Sequence, residues 1–257
     1  IPGCGKSLTA KAIANEWKFP LLRFDLGKVF GGIVGESERN IRYALDVAKT
    51  ISPCVLWIDE IEKGLSGSQS SGRTDGGTSA RVFGTFLTWM QEKTEPVFVV
   101  ATANDISSLP PELLRKGRFD EIFFVDLPSA KERENIFQIH LKNKHRDAKA
   151  LGLSMAELVK KTEGFSGAEI EEVVNEALFN AYANGQKDLE MQNLLDCISA
   201  TSPLSRTMAE TIANLRKWAE QRARMASKDK PDEVKPLGEE VPRLQQEYSN
   251  PFIQKKK

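Results

Sequence analysis

Two unbroken apolar runs mark the first half of the chain: Cys54-Val-Leu-Trp-Ile58 and Val97-Phe-Val-Val-Ala101. Neither shows the alternation of a half-buried strand, so both read as strands covered on two faces. Pro20-Leu-Leu-Arg-Phe-Asp25 and Ile122-Phe-Phe-Val125 read as further, shorter strands. Between the runs, apolar positions recur at helical spacing. Leu8, Ile13, Ala14 and Trp17 form one such set, and Ile41, Ala44, Leu45 and Ala48 form another; residues 81–92 are also helical. Strand alternating with helix predicts an α/β core with a parallel sheet covered on both faces. Residues 66–78 are rich in Ser and Gly and read as a long loop.

The texture changes at Leu127-Pro128. Helical patterns follow over 131–143, 154–161, 167–184 and 188–200, with Ser154 and Ser166 as expected N-caps. One more amphipathic helix carries Met208, Ile212, Leu215 and Ala219 on a stripe. From Ser227 to Lys257 the chain is rich in Lys, Glu, Pro and Gln, the composition of a disordered tail. The expected organisation is an α/β core over 1–128, a helical unit over 129–202, an amphipathic helix over 203–226 and a tail over 227–257.

Charge narrows the partners. Lys plus Arg and Asp plus Glu both total 36, so net charge is zero and gives no bulk attraction to nucleic acid or an anionic membrane. Cys4, Cys54 and Cys197 are scattered without any C-x-x-C, which suits a reducing compartment. No apolar stretch is long enough to span a bilayer.

Candidate chemistry begins at the first residues. Gly5-Lys6-Ser7, preceded by Pro2-Gly3 and followed by a helix, fits the end of a phosphate loop, G-x-x-x-x-G-K-[ST]. The first glycine of that pattern falls one position before Ile1. Backbone N–H groups from Gly3 through Cys4, Gly5, Lys6, Ser7 and Leu8 would cradle phosphates at a helix N-terminus. Lys6 would reach the β- and γ-phosphates of ATP, and the Ser7 hydroxyl would hold Mg²⁺. The strand ending at Ile58 delivers Asp59 and Glu60 to the carboxyl end of the sheet, where open α/β folds bind ligands. Asp59 suits the Mg²⁺ shell; Glu60 suits a base for an attacking water.

With Val99-Val-Ala-Thr-Ala-Asn104 and Leu113-Leu-Arg-Lys-Gly-Arg-Phe-Asp120, the chain resembles the AAA clade of AAA+ ATPases. The resemblance implies a P-loop parallel-sheet core with a C-terminal helical lid, its first strand lying upstream of Ile1. It implies Asn104 as the polar sensor at the γ-phosphate, and Arg115 and Arg118 as fingers reaching a neighbouring subunit's site. His140 would lie near the adenosine, and Gly167 and Ala168, in Gly164-Phe-Ser-Gly-Ala-Glu169, would let the lid approach adenine. The opening residues, Phe30–Ser37 and Ser52–Glu60 narrow the resemblance to the hypothetical chloroplast reading frame AAA proteins of cyanobacteria and plastids. There the ATPase domain follows an N-terminal region of comparable length, in the cyanobacterial cytoplasm or plastid stroma.

The activity so implied is Mg-ATP hydrolysis by a homo-oligomeric ring, a hexamer in the family, that remodels a protein partner. A nucleotide-dependent regulatory binding module is the alternative, and a nucleic-acid motor a third reading that zero net charge disfavours. Two departures matter. The pore loop Ile33-Val34-Gly35 has an aliphatic residue where unfoldases place an aromatic, which leaves less area to grip an extended chain. His140 and His145 are the only histidines, so no H-E-x-x-H peptidase motif is present. Without the strand upstream, these residues alone are expected to fold poorly and bind ATP weakly. Cys4 reads as a tolerated loop position rather than a redox sensor.

Overall fold

The computed structural model describes residues 1–26, 36–65, 76–115, 117–229 and 231. Strands β1 (Leu21–Phe24), β2 (Cys54–Ile58) and β3 (Val97–Ala101) form a parallel sheet in the order β1-β2-β3. Leu22 pairs with Leu56 and Leu56 with Val99. All five β2 residues are buried, which is why that run lacks any polar position. β3 is equally apolar yet only Val97 is fully buried, and Phe98 is 44 % exposed. It stands at the edge of the described sheet, where one side of the strand meets no neighbouring strand.

Helices α1 (Lys6–Trp17), α2 (Glu36–Ile51), α3 (Ile61–Leu65) and α4 (Gly76–Glu92) complete the α/β part. α2 buries Ile41, Leu45 and Ala48, as its spacing predicts. α1 departs from the expected stripe: Leu8 and Trp17 are exposed, while Ala10 and Ala14 are buried. Small side chains let this helix approach β2 closely, and Trp17 instead meets Phe98 edge-on at 4.8 Å. α4 begins earlier than the sequence suggests, at Gly76.

The Ile122–Val125 run also departs from expectation. Only β4 (Phe123–Phe124) forms there, paired in parallel with β5 (Arg224–Met225) in a separate two-stranded sheet. Arg224 N–H donates to Ile122 O at 2.8 Å and Ala226 N–H to Phe124 O at 2.9 Å, so the C-terminal segment takes up that edge.

Four helices follow: α5 (Ala130–Asn143), α6 (Met155–Lys161), α7 (Gly167–Ala183) and α8 (Met191–Ala200). They enclose their own core, which includes Phe137, Leu158, Ile170, Val173 and Leu194. Ser154 and Ser166 cap α6 and α7, each accepting from the backbone N–H three residues on. Ser129 and Glu132 form a further reciprocal capping box on α5.

The segment expected as one helix over 203–226 is α9 (Leu204–Thr207), α10 (Ala209–Arg222) and then β5. α10 buries Ile212 and Ala219 against Phe124, Leu127 and Ile1. Arg216 makes a bidentate pair with Asp126 at 2.9–3.1 Å, and Leu204 N–H donates to Glu169 Oε1 at 2.6 Å. The C-terminal segment therefore touches both the α/β part and the first turn of α7. Among the described residues no helix is long and apolar enough to cross a membrane.

Candidate active site

The chemistry collects where α1 begins and where β2 and β3 end. Gly3 and Gly5 have φ of 72° and 86°, a left-handed backbone that glycine adopts without a Cβ penalty. Gly5 is the N-cap of α1, so the chain turns from loop to helix at Lys6. A Cβ on Gly3 would lie 2.9 Å from Ser166 Oγ and 3.1 Å from Ala168 Cβ. Gly3 O accepts from Ala168 N–H at 3.0 Å, and a Cβ on Gly167 would lie 3.2 Å from the same oxygen. The loop and the α7 N-terminus thus approach backbone to backbone, which is the physical reason for small residues at 3, 167 and 168.

Lys6 Nζ donates to Ile1 O at 2.6 Å, and partial burial pushes its ammonium below the usual lysine range. Leu8 N–H closes the first turn on Gly5 O, with the Leu8 side chain exposed. Cys4 lies half-buried, and desolvation pushes its thiol up, away from the reactive thiolate.

Asp59 sits one residue beyond β2. Its Oδ1 accepts from Ser7 Oγ at 2.8 Å and from Thr102 Oγ1 at 2.7 Å. Arg23 Nη2 stands 3.6 Å from its Oδ2, with the guanidinium 5.0 Å from the Trp57 ring centroid. Glu60 has a left-handed backbone with φ 49°, a conformation costing about 1 kcal/mol or more for a residue with a Cβ. Its contacts hold it there: its N–H donates to Thr102 Oγ1 at 3.1 Å, and Asn104 Nδ2 donates to its Oε1 at 3.1 Å. Lys63 Nζ pairs with its Oε2 at 2.5 Å. Asn104 N–H donates to Glu62 Oε1 at 3.1 Å, while the buried Glu62 Oε2 has no hydrogen-bond partner among the described residues.

Ser7, Asp59, Glu60 and Asn104 therefore converge, and Gly3, Gly167 and Ala168 form a second contact beside them. Ser7 hydroxyl and Asp59 carboxylate are hard oxygen donors of the kind Mg²⁺ takes together with phosphate and water. His140 lies on α5 with Nδ1 3.8 Å from Glu171 Oε1 on α7, near the end of the helix pair that carries Gly167. Arg115 and Arg118 join no hydrogen bond or ion pair with the cluster. Arg115 is exposed on a cleft of about 780 Å³ between residues 105–115 and α10. Arg118 is partly buried, its Nε shielded and without a hydrogen-bond partner among the described residues. The pore-loop residues Ile33, Val34 and Gly35 lie outside the described residues. Sequence reasoning missed Thr102, Glu62 and Arg23. Thr102 follows β3 directly, as Asp59 follows β2, and that position was its available signal; Arg23 reaches Asp59 only through the register of β1 on β2, which the sequence does not encode.

A glycine-turn-to-helix loop, a strand ending in two acids and a neighbouring strand ending in an amide define a phosphate-loop ATPase core. Comparison with known proteins gives the family. Residues 1–127 match the ATPase family associated with various cellular activities (AAA), and residues 152–196 match the AAA+ lid domain. The chain belongs to the AAA family of ATPases. It is 53% identical over 219 residues to the uncharacterized AAA domain-containing protein ycf46 of Guillardia theta, covering 85% of this chain and 42% of that protein. It is 53% identical over 228 residues to the protein of the same name in Pyropia yezoensis, covering 88% and 46%. The ATP-dependent zinc metalloprotease FtsH of Mycoplasma pneumoniae is 34% identical over 202 residues, 77% of this chain and 28% of that protein. The chain thus spans less than half the length of these relatives.

Proposed function

We propose that this chain carries the Mg-ATP-hydrolysing segment of a homo-oligomeric AAA ring, a hexamer, that remodels a protein partner. Its setting would be the cyanobacterial cytoplasm or plastid stroma. The observation that carries the reading is the convergence of Ser7 on Asp59 with Asn104 on Glu60, at 2.8 Å and 3.1 Å. Ser7 and Asp59 would hold Mg²⁺, which supplies charge neutralisation for the phosphates. Backbone N–H groups at the start of α1 bind phosphate oxygens, and the Lys6 ammonium faces the β- and γ-phosphates. Glu60, oriented by Asn104 and by its constrained backbone, takes the proton of a water that attacks the γ-phosphorus. The bond from that phosphorus to the bridging oxygen breaks and ADP leaves. Gly167, Ala168 and His140 form the adenosine side of the site.

Arg115 and Arg118 would act across a subunit boundary, placing positive charge on the transferring phosphoryl group of the neighbour. The exposed Arg115, which makes no contact with this chain's own cluster, supports this. The residues of the pore loop would touch the protein substrate. Zero net charge supports a protein rather than a nucleic-acid partner, and the absence of H-E-x-x-H from the sequence supports a segment without peptidase chemistry.

The test is ATP turnover per chain against concentration of the full-length protein. Turnover should rise with assembly, and Arg118→Ala should lower it by ~10³-fold while sparing nucleotide binding. Turnover independent of concentration and intact in Arg118→Ala would contradict the ring mechanism. Stimulation by nucleic acid rather than by protein would contradict the partner class.

A further inference from the structure

Asp59 and Glu60 are adjacent in sequence but point to different tasks, and something must fix both carboxylates at once. Thr102, the residue just beyond β3, does this with a single hydroxyl. Its Oγ1 donates to Asp59 Oδ1 at 2.7 Å and accepts from Glu60 N–H at 3.1 Å. Its backbone is fixed from both sides: Thr102 N–H donates to Ile58 O and Thr102 O accepts from Ile61 N–H, each at 2.9 Å. The residue is 7% exposed, so this bridge is shielded from competing water.

From these contacts we infer that Thr102 is a positioning residue for the hydrolysis site, setting the geometry of Asp59 and Glu60 together. The hydroxyl has one proton, so donating to Asp59 leaves its lone pairs for Glu60 N–H. The acceptor role supports the left-handed backbone at Glu60, which aims that carboxylate at Asn104. The donor role shares Asp59 Oδ1 with Ser7, whose hydroxyl reaches the same oxygen from α1. One side chain therefore links the ends of β2 and β3 to the phosphate loop. Valine has nearly the same shape but neither donates nor accepts; serine keeps both functions.

This inference rests on the hydrolysis reading above, and the experiment separates the two. In full-length protein, steady-state turnover, ATP affinity and the Mg²⁺ concentration for half-maximal rate are measured for wild type, Glu60→Gln, Thr102→Val and Thr102→Ser. Thr102→Val should lower kcat by ~10-fold or more, raise the Mg²⁺ half-point and leave ATP affinity within about twofold. Thr102→Ser should recover most of the rate. A kcat for Thr102→Val within twofold of wild type, with Glu60→Gln inactive, overturns the positioning role alone. Equal losses in Thr102→Val and Thr102→Ser point to packing and also overturn it. Turnover that survives Glu60→Gln overturns the hydrolysis reading itself.

Discussion

The thiols show how environment decides chemistry at the scale of one residue. Desolvation is the largest influence on Cys4, Cys54 and Cys197, and it pushes all three thiols up. A raised value favours the neutral form in the folded state. That contribution to stability is therefore complete at neutral pH; it begins to fall as pH passes the unfolded-state value near 9.0 and is lost as pH climbs through the folded-state value. The thiolate that attacks an electrophile is correspondingly scarce. Iodoacetamide labelling at pH 7.5 should be ~10-fold or more slower in folded protein than in urea, at all three positions. Labelling of Cys4 at its unfolded rate would show a reactive loop thiol instead. The same scale explains the strained Glu60: three side-chain contacts, from Thr102, Asn104 and Lys63, hold a backbone that glycine would adopt freely.

At the scale of elements, some of the fold was readable and some was not, for identifiable reasons. β2 was legible because a strand buried on both faces tolerates no polar side chain, and the two acids after it mark where burial ends. The convergence of Ser7 and Asp59 followed from the same run, since α1 packs beside β2. Ser129 is equally legible, a hydroxyl N-cap three residues before Glu132 in Ser129-Ala-Lys-Glu132. α1 misled because its buried face is made of alanines, which carry almost no hydrophobic signal, while Leu8 and Trp17 stand outside. Thr102 lies within Val99-Val-Ala-Thr-Ala-Asn104, but its role depends on register across the sheet, and a single strand's sequence does not encode that. β5 was hidden for the same reason: Arg224-Met225 becomes a strand only because β4 offers it an edge. The docking of α10 rests on Ile212 and Ala219 and on the bidentate Arg216–Asp126 pair, whose carboxylate is 6% exposed. Arg216→Met should leave that carboxylate with the Leu127 N–H at 2.7 Å but without its cation, at a cost of about 3 kcal/mol. Hydrogen exchange in full-length protein should then accelerate over α10, β4 and β5 before it does over β2. Unchanged exchange in α10 would show that apolar packing alone docks the helix.

Across the whole molecule, the site joins parts distant in sequence. The phosphate loop supplies Ser7 and Lys6, β2 delivers Asp59 and Glu60, and β3 delivers Thr102 and Asn104. The first turn of α7 closes on Gly3 through Ala168 N–H, and Glu169 of the same turn accepts from Leu204 N–H. Loop, α7 and C-terminal segment are thus linked within a few residues. Glu60 is the group on which the proposed chemistry turns, and its replacement tests that chemistry most directly. Phosphate release and ATP binding by full-length protein should be measured side by side for wild type and Glu60→Gln. The expected result is a fall in release of ~100-fold or more, from loss of the base, with binding retained because the phosphate loop is untouched. Release within a few-fold of wild type, with binding equally retained, would contradict Glu60 as the base and with it the hydrolytic site built around it.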